Sequence, residues 1–169
     1  MDSVKTAALT SAQKELRKKL LGSGFKVYTA LNVPLGFIAG MKLISLEPTM
    51  AQATIPFKFL TKNPFKSIYF AAQSMAAELS TAALVKLALE GITPSIAFII
   101  IGMEAVFTKK ATDKVTFTCE DGELVVEAVK KCVETGEAAT VRMKTTGRMP
   151  DGTEVATFYF TWSLKQRKN

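Results

Sequence analysis

The sequence predicts an α+β fold in which a mostly antiparallel sheet is wrapped around one long helix. Three observations predict it. Residues 68–89 are rich in Ala, Leu, Met and Ser and contain no Gly or Pro, giving ~33 Å of helix at 1.5 Å per residue. Most faces of that helix are apolar or small, and a helix of this kind must be covered by other elements. The chain on either side reads as strands, and Asp151-Gly152 between the last two is the strongest hairpin signal in the chain.

The elements follow in order. Thr10 with Gln13 three residues on resembles a capping box, so a basic helix is expected over 11–21, ended by Gly22 and Gly24. A second short helix is expected over 25–33, stopped by Pro34 and Gly36. Residues 41–46 and 50–60 read as strands around the turn Glu47-Pro48-Thr49, with Pro56 admissible only at an edge or bulge. Residues 62–67 form a loop, and Ser67 is the expected cap of the long helix. Gly91 and Pro94 end that helix. Residues 95–110 carry a long apolar run, read as a strand with Gly102 as a kink or bulge. Residues 114–119 alternate Val115, Phe117 and Cys119 with Thr116 and Thr118. Asp121 is expected to cap a helix whose apolar stripe is Leu124, Val125, Ala128, Val129, Cys132 and Val133, ending at Gly136. Glu127–Lys131 and Lys130–Glu134 are expected pairs on its outer face. Residues 138–147 and 153–165 are the last two strands. The order suggests a basic helix over 1–24 followed by the main domain over 25–169.

Composition narrows the chemistry. There are 22 Lys and Arg, 15 Asp and Glu, a net charge of +7 and no histidine. That count excludes Ser-His and Cys-His pairs and any His-ligated zinc, so acid–base chemistry falls to a carboxylate, Tyr, Lys or thiol. Cys119 and Cys132 lack metal-ligand spacing and both read as reduced thiols of an intracellular, cytoplasmic protein; no metal and no cofactor is expected. The longest strongly apolar stretch, residues 96–103, is far short of the ~20 residues of a membrane span, and the N-terminus lacks a signal-peptide pattern. A soluble protein is expected. No zinc-finger spacing or RNP-like string points to nucleic acid. Residues 1–26 hold six basic and two acidic residues, the largest share of the excess.

The segment NPFKSIYFAAQSMAAELSTAALVK resembles the central segment of hotdog-fold acyl-CoA thioesterases. It is most similar to the branch of the phenylacetate-pathway and 4-hydroxybenzoyl-CoA thioesterases and a related group of unknown function. FTKKATDKVTFTCE and DGTEVATFYFTWSLK resemble the strands that follow in that family. The likeness spans roughly residues 25–165. In the family pattern an Asn precedes the helix, a His–Gly–Gly follows, and an acidic residue lies nine positions beyond the His. Here those positions hold Asn63, Tyr69, Phe70, Ala71 and Glu78. The resemblance implies a hotdog fold, an acyl thioester substrate, a site shared across a homodimer and thioester hydrolysis. The Tyr for His and the two filled Gly positions depart from the pattern.

Glu78 is the expected catalytic carboxylate. It is the only acidic residue between Glu47 and Glu90, on a face with Ala71, Ser74, Thr81, Ala82 and Val85. Burial there would raise its pKa and make it a better base for water, or a nucleophile toward the thioester carbonyl. The other reading is a wetter, ion-paired Glu with Lys86 two turns on. Phe70 is the expected oxyanion donor through its backbone N–H. Residues 70 and 78 stand ~12 Å apart along one helix, so a single copy cannot easily bring both to one carbonyl; two antiparallel helices from two subunits can. A homodimer is therefore expected, with a tetramer also compatible. Asn63 is expected to hold the carbonyl or the attacking water, or else to make an Asn-Pro turn. Tyr69 is expected to offer its phenol near the thioester, or to pack. Gln73, Ser74 and Thr81 are further substrate contacts. Lys62, Lys66, Lys109 and Lys110 are expected to meet the coenzyme A phosphates, or to be solvated. Two competing readings remain: a non-catalytic acyl-CoA or lipid-binding hotdog domain, and a basic peripheral-membrane or interaction protein using the helix at 11–21. A hotdog dehydratase is disfavoured, because that chemistry relies on a His.

Overall fold

The computed structural model describes residues 8–167. The capping box forms: Thr10 Oγ1 accepts from Gln13 N at 3.2 Å and Gln13 Oε1 accepts from Thr10 N at 3.1 Å, opening α1 (Ser11–Leu21). Next come α2 (Gly24–Asn32), α3 (Pro34–Ala39), β1 (Lys42–Leu46) and β2 (Ala51–Ile55). The long helix α4 (Phe70–Leu89) is followed by β3 (Ile96–Phe107), β4 (Val115–Cys119), α5 (Gly122–Thr135), β5 (Ala139–Arg148) and β6 (Glu154–Gln166). The strands form one six-stranded sheet in the order β1-β2-β4-β5-β6-β3, antiparallel throughout.

The sheet wraps α4, which packs on β2, β4 and β5, while α5 lies against α4, β5 and β6. This is the hotdog arrangement. Alanine makes it compact: Ala76 and Ala77 are fully buried and let the α4 backbone come close to the strands. Between helix and sheet lie Leu84, Val85, Ile55, Phe117, Phe158 and Leu164, each 2 % exposed or less. A buried Phe such as Phe158 contributes about 2–3 kcal/mol relative to an exposed one. The alternation of β6 comes out as expected from Phe158 onward, and Ala156, Phe158, Phe160, Trp162 and Leu164 are all buried; Val155 and Thr157 of the other set are buried as well.

Several local expectations are corrected. The second strand stops at Ile55, since Pro56 has no N–H to continue the ladder, and residues 58–62 turn instead, with Thr61 N and Lys62 N both donating to Lys58 O. A third helix, α3, follows Pro34 at its first position and ends at Gly40, whose φ of 77° suits glycine. The long helix starts at Phe70 with Tyr69 as its N-cap, not at Ser67, whose hydroxyl donates to Asn63 Oδ1 at 3.2 Å. Asp121 sits at the N-cap of α5 without capping it; its Oδ2 accepts from Lys144 N at 2.6 Å. Leu124 is exposed rather than part of the α5 stripe. Lys130–Glu134 pair at 3.8 Å, whereas no Glu127–Lys131 pair forms among the described residues. Gly102 marks the bulge of β3, as expected.

Candidate active site

The loop before α4 is built around Asn63. Its Oδ1 accepts from Phe65 N at 3.0 Å, from Ser67 N at 3.2 Å and from Ser67 Oγ at 3.2 Å. Asn63 N donates to Ser67 O at 2.8 Å, and Lys66 takes a left-handed φ of 58° to close the turn. Ile68 N donates to Ala111 O and Tyr69 N to Thr61 O, tying the loop to the segment after β3 and to the turn at residue 61. The Asn-Pro turn is thus present, and it uses the carbonyl end of the Asn63 amide.

This loop delivers the start of α4 into a depression of about 520 Å³. Asn63, Tyr69, Phe70 and Gln73 line it from one side, and Lys109 and Lys110 from the other. No side chain caps α4. The N–H groups of its first turn therefore carry the positive end of the helix dipole into the depression, a ready place for developing negative charge. Phe70 and Tyr69 are about half exposed, with ring centroids 4.8 Å apart. Gln73 is buried; its Nε2 donates to Ile68 O at 3.2 Å, and its Oε1 is buried without a partner.

Glu78 is elsewhere. Two turns further along α4 it opens on a second cavity, a groove of about 830 Å³ between α4 and the N-terminal helices. Its carboxylate makes no ion pair among the described residues; Lys86 pairs with Glu90 at 3.9 Å instead. Burial pushes the Glu78 carboxyl above its ordinary value of 4.5. Desolvation without a compensating cation leaves the protonated form favoured and the anion more basic.

The remaining candidates scatter. Thr81 is fully buried, donates to Glu78 O at 3.0 Å and accepts from Trp162 Nε1 at 3.1 Å, so its hydroxyl faces the sheet. Val85 is buried too, which breaks the single face expected around Glu78. Ser74 Oγ lies 3.4 Å from Met103 Sδ on β3. Lys62 stacks over Phe59, 4.7 Å from its ring centroid, and neither it nor Lys66 lines the depression at the helix start. Sequence reasoning missed Leu16, Leu20 and Tyr28, which face the Glu78 groove. The i,i+4 spacing of Leu16 and Leu20 was the available signal. Among the described residues no group of three or more His, Cys, Asp or Glu could hold a metal ion, and no helix is long and apolar enough to cross a membrane.

An antiparallel sheet wrapped on a long helix, with a carboxylate mid-helix and bare N–H groups at its start, defines a hotdog-fold protein. The chain belongs to the family described as a domain of unknown function (DUF4442), whose model matches residues 23–164. Solved structures share the fold. One is a Pseudomonas aeruginosa protein of unknown function described as a probable thioesterase: 20 % identity, 91 % of this chain and 96 % of that one covered, TM-score 0.74. Another is a Chlorobaculum tepidum protein of unknown function: 13 % identity, 92 % and 98 % covered, TM-score 0.75. A third is a mutant thioesterase from P. aeruginosa: 14 % identity, 86 % and 95 % covered, TM-score 0.65. No curated protein matches the sequence.

Proposed function

We propose that the protein is an acyl-CoA thioester hydrolase acting as a cytoplasmic homodimer. Glu78 serves as general base or nucleophile, and the Phe70 N–H of the second copy holds the oxyanion. The observation that carries this reading is a half-buried carboxylate with a raised pKa and no counter-ion, on a helix whose start is uncapped. The two features open on different cavities of one chain. Antiparallel pairing of two α4 helices would bring each carboxylate to the other copy's helix start. The unpaired edge of the sheet supports such pairing: β3 exposes Ile99, Ile101, Met103 and Val106, a long apolar edge that calls for cover.

In the general-base route, ionised Glu78 takes a proton from a water as its oxygen attacks the thioester carbon. The carbonyl oxygen becomes an oxyanion held by the Phe70 N–H, with the Asn63 Nδ2 amide beside it. Collapse breaks the C–S bond, and the proton on Glu78 passes to the departing thiolate. In the nucleophilic route a Glu78 oxygen attacks the thioester carbon, the C–S bond breaks and the thiolate leaves, and water then hydrolyses the resulting anhydride to free acid and regenerated Glu78. Lys109 and Lys110 lie where the coenzyme's phosphates would find charge-assisted contacts, with Lys62 and Lys66 further out. Tyr69 and Gln73 border the carbonyl, and Ser74 lies between the two centres.

A panel of acyl-CoA substrates with a thiol reporter, run beside Glu78→Gln, tests the reading. Turnover by the wild type and a loss of ~10²–10⁴-fold in the variant is expected; equal rates would overturn the assignment. One observation favours a second reading, a non-catalytic acyl-CoA-binding domain. The Phe70 and Tyr69 rings crowd the helix start that Gly would leave open. Tight acyl-CoA binding with no turnover would establish it.

A further inference from the structure

We propose that the groove beside Glu78 is the acyl pocket, and that α1 and α2, outside the motif, set the size of the acyl group it accepts. This rests on the thioesterase reading. The groove's floor is α4, where Glu78, Ala82 and Lys86 follow at i,i+4 spacing. Ala82 is the smallest of the three and leaves the floor low. The roof is Leu16 and Leu20 of α1 with Phe25 and Tyr28 of α2, and Phe98 of β3 closes one side.

The groove exists because α1 is held by polar contacts instead of close packing. Gln13 Nε2 donates to Leu87 O at 3.1 Å, Arg17 Nε donates to Leu46 O at 2.6 Å, and Arg17 also pairs with Glu47. Those contacts pin the helix over α4 and β1. Its apolar stripe is left short of full burial, since no residue of α1 is buried. An apolar roof and a small-residue floor enclosing about 830 Å³ fall within the range of small-molecule sites. An acetyl group would leave most of that space empty.

Charge sets the two ends. At one end stands Glu78, where the thioester carbon must sit. At the other stand the Lys86–Glu90 pair, 3.9 Å apart, and the start of α1, where Gln13 Nε2 donates to Leu87 O. Glu78 and Lys86 are eight residues apart, about 12 Å along the axis. A hydrocarbon or arylalkyl acyl group of medium length fills the apolar stretch between them. A longer chain would meet the charged end, and an acyl group bearing its own carboxylate would meet desolvation beside Leu16 and Phe25.

The test compares acetyl-, octanoyl- and palmitoyl-CoA on the full chain, with Ala82→Trp to fill the groove and Tyr28→Ala to open it at an exposed position. The expected result is a preference for octanoyl over acetyl of ~10-fold or more in kcat/KM. Ala82→Trp lowers kcat/KM for octanoyl-CoA more than for acetyl-CoA and so abolishes that preference, and Tyr28→Ala moves the optimum toward palmitoyl. Equal handling of acetyl and octanoyl groups, with both variants changing all substrates alike, would overturn the pocket and leave the hydrolase standing. If no thioester is cleaved, displacement of a fluorescent fatty acid reads the groove alone. Binding lost in Ala82→Trp upholds the pocket without the hydrolase, and no binding to the wild type overturns both.

Discussion

Trp162 Nε1 donates to Thr81 Oγ1 at 3.1 Å, joining the middle of β6 to the middle of α4. Both residues are buried, and Thr81 passes the bond on to the backbone oxygen of Glu78 at 3.0 Å. The turn of helix that carries the carboxylate is therefore bolted to the sheet from behind. Glu78 is held with its carboxylate away from the core, facing the N-terminal helices.

Thr81→Val tests that bolt. Valine matches the shape of threonine but leaves the indole N–H unpaired in the core, at a cost of about 1–3 kcal/mol. The urea midpoint should fall accordingly, while Thr81→Ser, which keeps the hydroxyl, should recover most of the loss. Thioesterase activity should drop in the Val variant more than the population of unfolded protein accounts for, because the Glu78 turn loses its support.

The Glu78 carboxyl gives a pH-dependence with an unusual sign. Its pKa in the folded chain is raised above the ordinary 4.5 by burial. The native state then holds the proton more tightly than the unfolded state. The contribution of this carboxyl to stability is highest below 4.5, falls as pH rises from there through the folded pKa, and is flat above it. Glu78→Gln removes the penalty, so at neutral pH the variant should melt at a higher temperature than the wild type. Below pH 4.5 the two melting curves should converge. The acid limb of kcat/KM should in turn show an apparent pKa above 4.5 in the wild type and disappear in the variant. Coincident melting temperatures at pH 7 would mean the carboxylate is not desolvated.

Gly122 is constrained by contact, not by φ. A Cβ there would lie 2.1 Å from Pro48 O and 2.6 Å from Thr49 Cα, both main-chain atoms of the β1–β2 turn. Gly122 N also donates to Thr49 O at 3.1 Å. Gly122→Ala must push the start of α5 away from that turn. Overpacking of this kind costs about 1–3 kcal/mol and sometimes more, readable by calorimetry. Gly136→Ala has no such clash and should lose stability only through its φ of 71°.

The edge strand makes the oligomer testable. Ile101 is the bulge residue of β3 and more than half exposed. On the proposed pairing through β3, Ile101→Lys should yield a folded monomer by light scattering, with an unchanged far-UV spectrum and no thioesterase activity, because each proposed site would lack the partner's helix start. A dimer that survives with full activity would remove the shared-site mechanism.

The parts of the fold that sequence made legible were those with a local cause. Thr10 and Gln13 announced α1 through reciprocal capping, Gly102 announced the β3 bulge, and the alternation of β6 followed from its period of two. The start of α4 was harder: Ser67 is a good cap by type, but Asn63 claims its hydroxyl, and the helix begins three residues later. The face around Glu78 failed for a different reason. Spacing says that Thr81 and Glu78 are neighbours on a helix, but only the position of Trp162 decides that Thr81 turns inward. The α1–α2 roof over the groove is a tertiary contact with no local signature beyond Leu16 and Leu20.

Asn63 allows its two roles to be separated. The Oδ1 atom gathers three donors from Phe65 and Ser67, while no hydrogen bond of Nδ2 is formed among the described residues. Asn63→Asp keeps an oxygen for all three donors, but exchanges the amide NH2 for a second oxygen and adds a negative charge beside the proposed oxyanion. Asn63→Ala removes both and frees the loop. If the amide works on the thioester carbonyl, Asn63→Asp should keep the wild-type melting temperature and lose ~10²–10³-fold in kcat, the usual loss for one donor to an oxyanion. Asn63→Ala should lose that activity and stability as well, by about 1–2 kcal/mol for the bonds removed. Thermal melts and acyl-CoA kinetics on the two variants check this directly. An Asn63→Asp protein that matches the wild type in both would make Asn63 a turn residue alone.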